Sequence, residues 1–466
     1  MNANDVEITI PDARCTIEAP SYALAVQRAI EAAGFEAWFV GGFVRDQLLD
    51  RACSDVDLAT SADWRTVKAA CESASMRVHE TGTAHGTVTV CPIEGEPHAV
   101  EVTTFRQDGA YRDARHPEKV TFVGTIEEDL ARRDFTVNAL AFHPDRGILD
   151  PFGGFEDLRN GVLRSVGHPA TRFSEDALRI LRGCRFRSQL GFEIEPSTRH
   201  AMSTHKHLLC RISAERVRSE LDGFVLGAHV HDALLDTFDV LSFVLPEITA
   251  MKGCKQDTKY HIYDVLEHTA FAMQHAPAER TVRWAALCHD MGKPAASFHD
   301  EEGVGHFYEH PKLSVALAGP MLERLKMPPR FIDDVMLLVR YHDHTVARSR
   351  KSIHRMMEKL EGRDDLFRAL CRLKAADSMA QAPAYRQRAH DAAMLLDEFE
   401  RMNEEGEPFS AKDLAVNGRD AIDRGVPEGP LIGAMLKRLL EEVADGSLRN
   451  ERDALLARLD ELARHD

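Results

Sequence analysis

The stretch FEAWFVGGFVRDQLLDRACSDVDLATS, residues 35–61, decides the fold of the N-terminal part of this chain. Its apolar start predicts a β-strand that ends in a Gly-Gly turn, and VRDQLLD predicts a helix after that turn. The segment SDVDLAT predicts a second short strand. Because side chains alternate between the two faces of a strand, Asp55 and Asp57 are expected to point to the same face. The stretch therefore predicts two carboxylates side by side, close to a glycine turn.

The paired aspartates predict a magnesium site with a catalytic role. Two carboxylates on one face repel each other unless a cation lies between them, and Mg²⁺ takes a few hard oxygen ligands and completes its shell with phosphate oxygens. Gly42 lets the backbone approach a triphosphate, and Arg45 at the helix start suits a phosphate contact. Glu101, in the predicted strand HAVEVTTF, is a candidate third carboxylate. Aspartate pairs are more often solvated, but here the glycines, Arg45 and both aspartates fall within 17 residues, which favours a site.

The rest of the chain predicts an α+β fold. Residues 22–33 have the periodicity of an amphipathic helix, and GTVTVCPI and HAVEVTTF alternate as two paired strands. These elements predict a mixed sheet up to about residue 160. From about residue 170 the strand pattern fades and helical periodicity dominates. The sequence therefore predicts a mixed-sheet N-terminal head followed by an all-α region.

Composition favours a cytoplasmic globular protein. The 466 residues are 44% hydrophobic and 29% charged, with no apolar run long enough for a membrane span and no secretory signal at the N-terminus. Nine cysteines without a C-x-x-C pair fit a reduced cytoplasm. The net charge of −17 argues against an evenly basic nucleic-acid binder, although clustered arginines leave room for local basic patches.

The VGGFVRD…DVDLATS pattern resembles the nucleotidyltransferase superfamily branch that contains bacterial tRNA CCA-adding enzymes and poly(A) polymerases. Three further motifs continue the resemblance in the same order: EEDLARRDFTVNALAF (127–142), LDPFGGFEDL (149–158) and SEDALRILRGCRFRSQLGF (174–192). The resemblance implies a class II tRNA nucleotidyltransferase that adds or repairs the 3′-terminal CCA of tRNA from CTP and ATP and releases pyrophosphate. The expected partners are therefore the tRNA 3′ end, CTP and ATP, with no DNA and no membrane.

The last of these motifs indicates how a base would be selected. Cytosine and adenine present an exocyclic amino donor beside a ring-nitrogen acceptor, whereas guanine and uracil present the opposite order. A carboxylate next to a guanidinium would accept the first pair and reject the second. On a helix, Asp176 and Arg179 lie at i and i+3, on one surface. The resemblance implies that these two residues act as a protein template, and that Arg133, Arg182 and Arg185 also contact the nucleotide.

Two features favour complete CCA or A addition to tRNA over CC addition alone and over poly(A) synthesis. The polar segment TTFRQDGAYRDARHPEKVTF (103–122) predicts a long loop between two strands, and the resemblance implies that the loop is needed to switch from C to A addition. The segment LATSADWRTV (58–67) does not resemble the basic segment that poly(A) polymerases carry after the paired aspartates. An A-adding enzyme or a poly(A) polymerase of the same family is the alternative.

A second group of residues predicts a metal site in the helical region. An adjacent histidine and aspartate, followed by Met-Gly-Lys, stand on an apolar helix, with further histidines and a late aspartate on other segments. Imidazole and carboxylate together suit Mn²⁺, Fe, Ni²⁺ or Co²⁺ with a bound water as nucleophile. The order H…HD…H…H…D resembles the HD phosphohydrolase superfamily over about residues 260–380, which implies hydrolysis of a terminal or 2′,3′-cyclic phosphate on damaged tRNA. The predicted ligands are His268, His289, Asp290 and Asp377, with His310 and His342 as further candidates.

These resemblances divide the chain into four predicted domains. They are a nucleotidyltransferase head at 22–165, a helical neck and body that recognises the base at 166–254, an HD metal phosphohydrolase domain at 255–382 and a helical tRNA-binding tail at 383–466. Two other functions stay open, namely a phosphohydrolase of free nucleotides and a non-catalytic tRNA-binding protein. The intact aspartate pair argues against the second of these. The sequence leaves the oligomeric state open.

Overall fold

The computed structural model describes residues 17–53, 55–91, 98–108 and 120–465. Residues 109–119 of the predicted loop lie outside the described residues, so the role of that loop stays a prediction. The chain forms two compact units. The first runs to Leu221 and includes Asp239–Val244, and the second comprises Asp222–Phe238 and the chain from Leu245 onwards. The finer division into four domains also stays a prediction.

The strands of the described chain are short. They are β1 (Ala37–Val40), β2 (Val56–Thr60), β3 (Arg77–Gly82), β4 (Thr87–Cys91), β5 (Val100–Thr104), β6 (Arg106–Asp108), β7 (Val120–Phe122), β8 (Ala141–His143), β9 (Gly147–Leu149), β10 (Val162–Leu163), β11 (Glu193–Ile194), β12 (Phe298–His299) and β13 (Gly305–His306).

The α-helices occupy most of the remaining chain. They are α1 (Ser21–Ala32), α2 (Gly42–Leu48), α3 (Trp64–Ser73), α4 (Ile126–Ala131), α5 (Gly154–Asn160), α6 (Pro169–Glu175), α7 (Leu178–Leu190), α8 (Pro196–His205), α9 (Ala214–Val225), α10 (Val230–Asp236), α11 (Phe238–Val244), α12 (Val265–His275), α13 (Arg280–Cys288), α14 (Lys293–Ala296), α15 (His310–Arg324), α16 (Pro329–Tyr341), α17 (Arg350–Lys359), α18 (Asp364–Met379), α19 (Gln387–Glu404), α20 (Gly418–Ile422), α21 (Pro430–Ala444) and α22 (Arg452–His465).

Seven strands build one mixed sheet in the first unit, in the order β3-β4-β5-β2-β1-β8-β9. Neighbouring strands are antiparallel except β2 and β5, which run parallel with Asp57 opposite Glu101. The predicted strands around residues 37–40 and 56–60, and the predicted pairing of β4 with β5, are confirmed. Because β2 lies between β1 and β5, the glycine turn and Glu101 flank the aspartate pair on its two sides.

Local sequence explains the elements around the aspartate pair. Gly41 has a φ of 69°, in the left-handed region that favours glycine, so β1 turns directly into α2. The α1 helix buries Ala23, Val26 and Ile30, which recur at helical spacing. Asp63 caps α3, because its side chain accepts a hydrogen bond from a backbone N–H of the first turn. These local contacts set the ends of the elements that flank β2, the strand that follows Asp55 and contains Asp57.

The second unit is helical, with the β12–β13 hairpin as a small exception. At its C-terminal end, α20, α21 and α22 share an apolar cluster drawn from residues 414–463, with Leu439, Leu455 and Leu459 fully buried. This part of the chain therefore has apolar packing of its own. Among the described helices, none combines the length and the apolar character that crossing a bilayer requires.

The prediction of an α+β fold is confirmed, since a mixed sheet lies in the N-terminal part and helices fill the remainder. The expectation that the region after residue 170 contains only helices is wrong in two places. β11 pairs with β10, and β12 pairs with β13. Each of these strands has two residues, so the alternation that marks a strand in sequence has no room to appear.

Candidate functional site

A cleft of about 950 Å³ in the first unit gathers the residues predicted for nucleotide transfer. Glu101 is the exception, and it lies exposed on β5 beside Asp57. The predicted residues that line the cleft are Gly42, Arg45, Asp55, Asp57, Arg133, Asp176, Arg179, Arg182 and Arg185. Acidic and basic groups predicted from separate motifs therefore share one cavity.

Asp55 and Asp57 both line this cleft from the start of β2, the arrangement that strand alternation predicts. Burial, together with the charges of Glu101 and Asp55, raises the pKa of Asp57 to about 6, although Arg133 opposes the shift. Three carboxylates are thus crowded together. A divalent cation with oxygen ligands fits this crowding, because its charge would remove the repulsion.

Arg133 lies against the glycine turn that was predicted to hold a phosphate. A Cβ added at Gly41 would approach Nη1 of Arg133 to 2.7 Å, so a larger residue there would displace the guanidinium. Arg133 pairs with Asp129 at 3.3 Å and donates from Nη1 to the carbonyl of Asn138. The guanidinium is therefore held where a phosphate at the turn would meet it.

A chain of hydrogen bonds links Arg45, beside the turn, to Arg182 of α7. Arg45 Nη1 donates to Asn138 Oδ1 at 2.6 Å, and Asn138 Nδ2 donates to Asp134 Oδ1 at 3.0 Å. Arg182 Nε donates to the other oxygen of Asp134 at 2.6 Å. Burial opposes ionisation of Asp134, but Arg182 and these hydrogen bonds hold its carboxyl pKa well below the usual range. Asp134 and Asn138 were predicted only as part of a motif, and the signal was polar residues next to the apolar ALAF segment.

Two arginines of α7 are oriented by an aromatic ring. Arg182 and Arg185 place their guanidinium groups over Phe186, 5.4 and 4.7 Å from the ring centroid. Arg185 also pairs with Glu220 of α9 at 2.9 Å. Ring contact and ion pair together limit the rotamers of these side chains, and both of them line the cleft that holds the aspartate pair.

The predicted placement of Asp176 and Arg179 on one helix is wrong. Asp176 lies in an extended break between α6 and α7, where its Oδ1 accepts from the backbone N–H of Leu178 at 3.0 Å. Aspartate favours such local bonds over a helix interior, which explains the break. Its Oδ2 pairs with Arg216 of α9 at 3.0 Å, while the buried Arg179 donates to Glu175 and to backbone carbonyls. Both residues line the cleft, but each is held by other partners.

The second unit gathers the six predicted histidines and aspartates in two adjoining groups. The groups are His268, His289 and Asp377, and Asp290, His310 and His342, each with its ligand atoms within 4.8 Å of one another. Asp290 joins them. Its Oδ2 lies 3.1 Å from His289 Nε2, and its Oδ1 lies 3.4 Å from His310 Nε2. We call these six residues the histidine-aspartate centre.

The charges of this centre fit a bound cation. Asp290 is fully buried, the ammonium of Lys293 lies 2.6 Å from its Oδ2, and no donor among the described residues is aligned for a hydrogen bond to its Oδ1. Burial alone would lower the pKa of His289, but the carboxylates of Asp290 and Asp377 outweigh it and raise that pKa to about 10. The two carboxylates therefore favour a positive charge at this position, which a metal ion would supply in place of the proton on His289. Burial lowers the pKa of His342 to about 3, so its imidazole is neutral, which is the form that binds metals.

Comparison with known proteins finds similarities along most of the chain. Residues 37–164 match the family described as Poly A polymerase head domain, and residues 310–459 match tRNA nucleotidyltransferase domain 2. The CCA-adding enzyme of Limosilactobacillus fermentum is 34% identical over 441 residues, which are 93% of this chain and 94% of that protein. The CCA-adding enzyme of Geobacillus thermodenitrificans is 36% identical over 451 residues, 95% and 97% of the two chains. The crystal structure of Bacillus stearothermophilus CCA-adding enzyme in complex with CTP has a TM-score of 0.72 and 30% identity and covers 96% of this chain and 99% of that chain.

Proposed function

We propose, since the chain belongs to the family of CCA-adding enzymes, that it completes the 3′ end of tRNA with CCA from CTP and ATP. The 3′ hydroxyl of the tRNA attacks the α-phosphorus of the nucleotide, and pyrophosphate leaves. The observation that carries the proposal is the single cleft that holds both the aspartate pair and the arginines of α7. Triphosphate binding and activation of a hydroxyl need those two kinds of group within one cavity.

The family implies a divalent metal, and we propose Mg²⁺ held by Asp55 and Asp57 with Glu101 nearby. When bound, the ion would favour the ionised 3′ hydroxyl and neutralise the charge of the leaving pyrophosphate. Arg45, which lines the same cleft beside the glycine turn, is proposed to bind the triphosphate. The carboxylates bind the cation and the guanidinium orients the phosphates, so the triphosphate is bound both through the cation and through Arg45.

For base choice, Asp176 is proposed to accept a hydrogen bond from the exocyclic amine of C or A, and Arg179 to donate to the ring nitrogen. Asp176 has a fixed position, because Leu178 and Arg216 hold its two oxygens. Arg182 and Arg185 are proposed to contact the rest of the nucleotide, since both line the same cleft. A rigid carboxylate gives selectivity, because guanine and uracil would place a carbonyl oxygen, which is also an acceptor, against the carboxylate of Asp176.

The proposed activity predicts which of the four nucleotides the protein adds to tRNA. A tRNA that lacks its terminal CCA is expected to gain two residues from labelled CTP and then one from ATP in the presence of Mg²⁺, with GTP and UTP excluded. Gel separation at single-nucleotide resolution measures the products. Extension only of tRNA that already ends in CC would instead identify an A-adding enzyme. Phosphate release without extension would reverse the proposal in favour of a nucleotide phosphohydrolase.

The second prediction concerns Asp176. Asp176→Asn keeps a side-chain oxygen that can cap α7, but it loses the charge and presents an amide donor. Misincorporation of GTP and UTP relative to CTP is expected to rise about 10- to 100-fold, because a bidentate base contact supplies about 1–3 kcal/mol of discrimination. Asp145→Asn, an exposed carboxylate outside the cleft, is the matched control. Unchanged exclusion of GTP and UTP by Asp176→Asn would rule out the protein template.

The histidine-aspartate centre favours a second candidate function, a metal-dependent phosphohydrolase or phosphodiesterase that acts on tRNA ends. The specific observation is a fully buried aspartate that lies within 3.7 Å of four imidazole nitrogens, with the ammonium of Lys293 2.6 Å from its Oδ2. We propose Mn, Ni, Co or Fe as the metal, because mixed imidazole and carboxylate ligands suit these ions. A bound ion would supply an ionised water as the nucleophile.

We also propose that the protein acts in the cytoplasm, where tRNA is matured. All eight cysteines among the described residues carry free thiols, and four of them are buried. Free buried thiols fit a reducing compartment. The helical tail at 383–466, which ends in the mutually packed helices α20–α22, is proposed to bind the tRNA.

A further inference from the structure

Three aromatic rings stack on the surface of the β12–β13 hairpin, and none of them belongs to the cleft or to the histidine-aspartate centre. The ring of His306 lies 5.2 Å from Phe298 and 5.3 Å from Tyr308, with interplanar angles of 26° and 18°. Phe298 is 47% exposed and Tyr308 is 68% exposed. We call these three residues the aromatic platform. A contiguous group of exposed rings, unlike a single exposed ring, is a candidate binding surface.

The platform is joined directly to the histidine-aspartate centre. Phe307 lies between His306 and Tyr308, and its backbone carbonyl accepts a hydrogen bond from Nδ1 of His310 at 2.8 Å. The Phe307 ring is 5.6 Å from Nζ of Lys293, and that ammonium lies 2.6 Å from Oδ2 of Asp290. Glu309, between the platform and His310, has a φ of 59°. A residue other than glycine in this region indicates a backbone held against its preference, which is common beside functional sites.

The hairpin that carries the platform is anchored to the loop before α12. Gly305 donates its backbone N–H to the carbonyl of Asp257 at 2.8 Å, and the carboxylate of Asp257 lies 3.0 Å from Nε2 of His299. The adjacent Gln256 accepts from Lys293 Nζ at 2.7 Å. The same loop therefore contacts both the hairpin and the Lys293 ammonium beside the centre. These contacts fix the position of the rings relative to the ammonium.

We propose that the aromatic platform stacks the terminal base of an RNA 3′ end and so delivers the terminal phosphate of that RNA to the histidine-aspartate centre. The inference rests on the phosphohydrolase activity proposed above. A terminal nucleotide has an apolar base face and a charged phosphate, and the chain offers rings for the first and Lys293 beside the histidine-aspartate centre for the second. Stacking tolerates any base, so the platform would select RNA ends over phosphates without a base.

Hairpin stability alone does not account for the platform. Phe298 and His306 are cross-strand neighbours, and such pairs stabilise short hairpins. Tyr308, however, lies outside the strands and is the most exposed of the three rings. Its ring buries little surface, so it contributes little to the folded hairpin and is available to a ligand.

The test uses the full-length protein and a short RNA, CC followed by 2-aminopurine riboside 3′-phosphate, whose fluorescence falls when the base stacks. In Mn²⁺, the double variant Phe298→Ala/Tyr308→Ala is expected to bind this probe at least about 10-fold more weakly and to lose the quenching, because stacking on an aromatic side chain accounts for a change of that order. Tyr308→Phe should retain both. Phe243→Ala, an exposed ring elsewhere in the chain, is the matched control.

Metal content and phosphodiester hydrolysis test the metal centre independently of the platform. Metal content, and hydrolysis of bis-p-nitrophenyl phosphate, are expected to stay within about twofold of wild type in the double variant, because the metal ligands are unchanged. Equal probe affinity and quenching in wild type and double variant would overturn the platform. Unchanged probe binding together with a smaller oligomer of the double variant than of wild type in sedimentation would also overturn it and identify a self-association surface. Absence of bis-p-nitrophenyl phosphate hydrolysis in wild type would defeat the phosphohydrolase proposal, while the probe still decides the platform.

Discussion

Asp57→Asn is expected to lower the rate of CCA addition about 1,000-fold or more while the protein stays folded. The substitution keeps the size of a half-buried side chain and removes the charge that would hold the divalent ion. Metal stabilisation of the transferring phosphate supplies several kcal/mol, and each 1.36 kcal/mol is a factor of ten in rate. Single-turnover extension of tRNA lacking CCA, with CTP and Mg²⁺, measures the loss. Asp55→Asn is expected to behave in the same way.

The matched control for Asp57→Asn is Asp50→Asn. Asp50 is exposed and has a φ of 52°, a conformation that asparagine also accepts, so the change should be silent. Circular dichroism and thermal unfolding of both variants should match wild type. An Asp57→Asn protein that folds normally and still extends tRNA at a tenth of the wild-type rate would refute a metal-binding role for this carboxylate.

The second large effect is expected in the helical unit. Asp290→Asn and His289→Ala should each remove bound transition metal and lower hydrolysis of bis-p-nitrophenyl phosphate more than about 100-fold. Even partners in the outer shell of a metal site are worth 10–100-fold, and Asp290 lies within 3.7 Å of four imidazole nitrogens. Inductively coupled plasma mass spectrometry gives the metal content, and spectrophotometry gives the hydrolysis rate.

The rate of CCA addition should not depend on the histidine-aspartate centre. CCA addition by Asp290→Asn is expected to stay within about twofold of wild type, because the aspartate pair lies in the other compact unit. His390→Ala, an exposed histidine of α19, controls for loss of an imidazole in the same unit. Loss of both activities in Asp290→Asn with normal unfolding behaviour would indicate one shared site and contradict two separate ones.

The fold was predictable where a pattern repeats within a few residues. Strand alternation at Val56–Thr60 and the glycine turn at Gly41-Gly42 are local, and both appear as predicted. The hairpin of β12 and β13 was not predicted, because two-residue strands carry no period. The break at Asp176 was missed for another reason. The flanking residues favour helix, and at the break the Asp176 side chain accepts from the backbone N–H of Leu178 and pairs with Arg216, contacts that helical periodicity does not reveal.

The sequence by itself determined the chemistry: an aspartate pair on one strand face, a glycine turn before it, and a set of histidines and aspartates on helices. Tertiary structure alone decided which of these groups meet. Arg216 reaches Asp176 across 40 residues, and His310 and His342 join Asp290 from separate helices. Local periodicity fixes the direction of a side chain only relative to its own element. The distance between groups far apart in the chain is set by how helices and sheet pack, and the sequence records that only through the sum of many weak contacts.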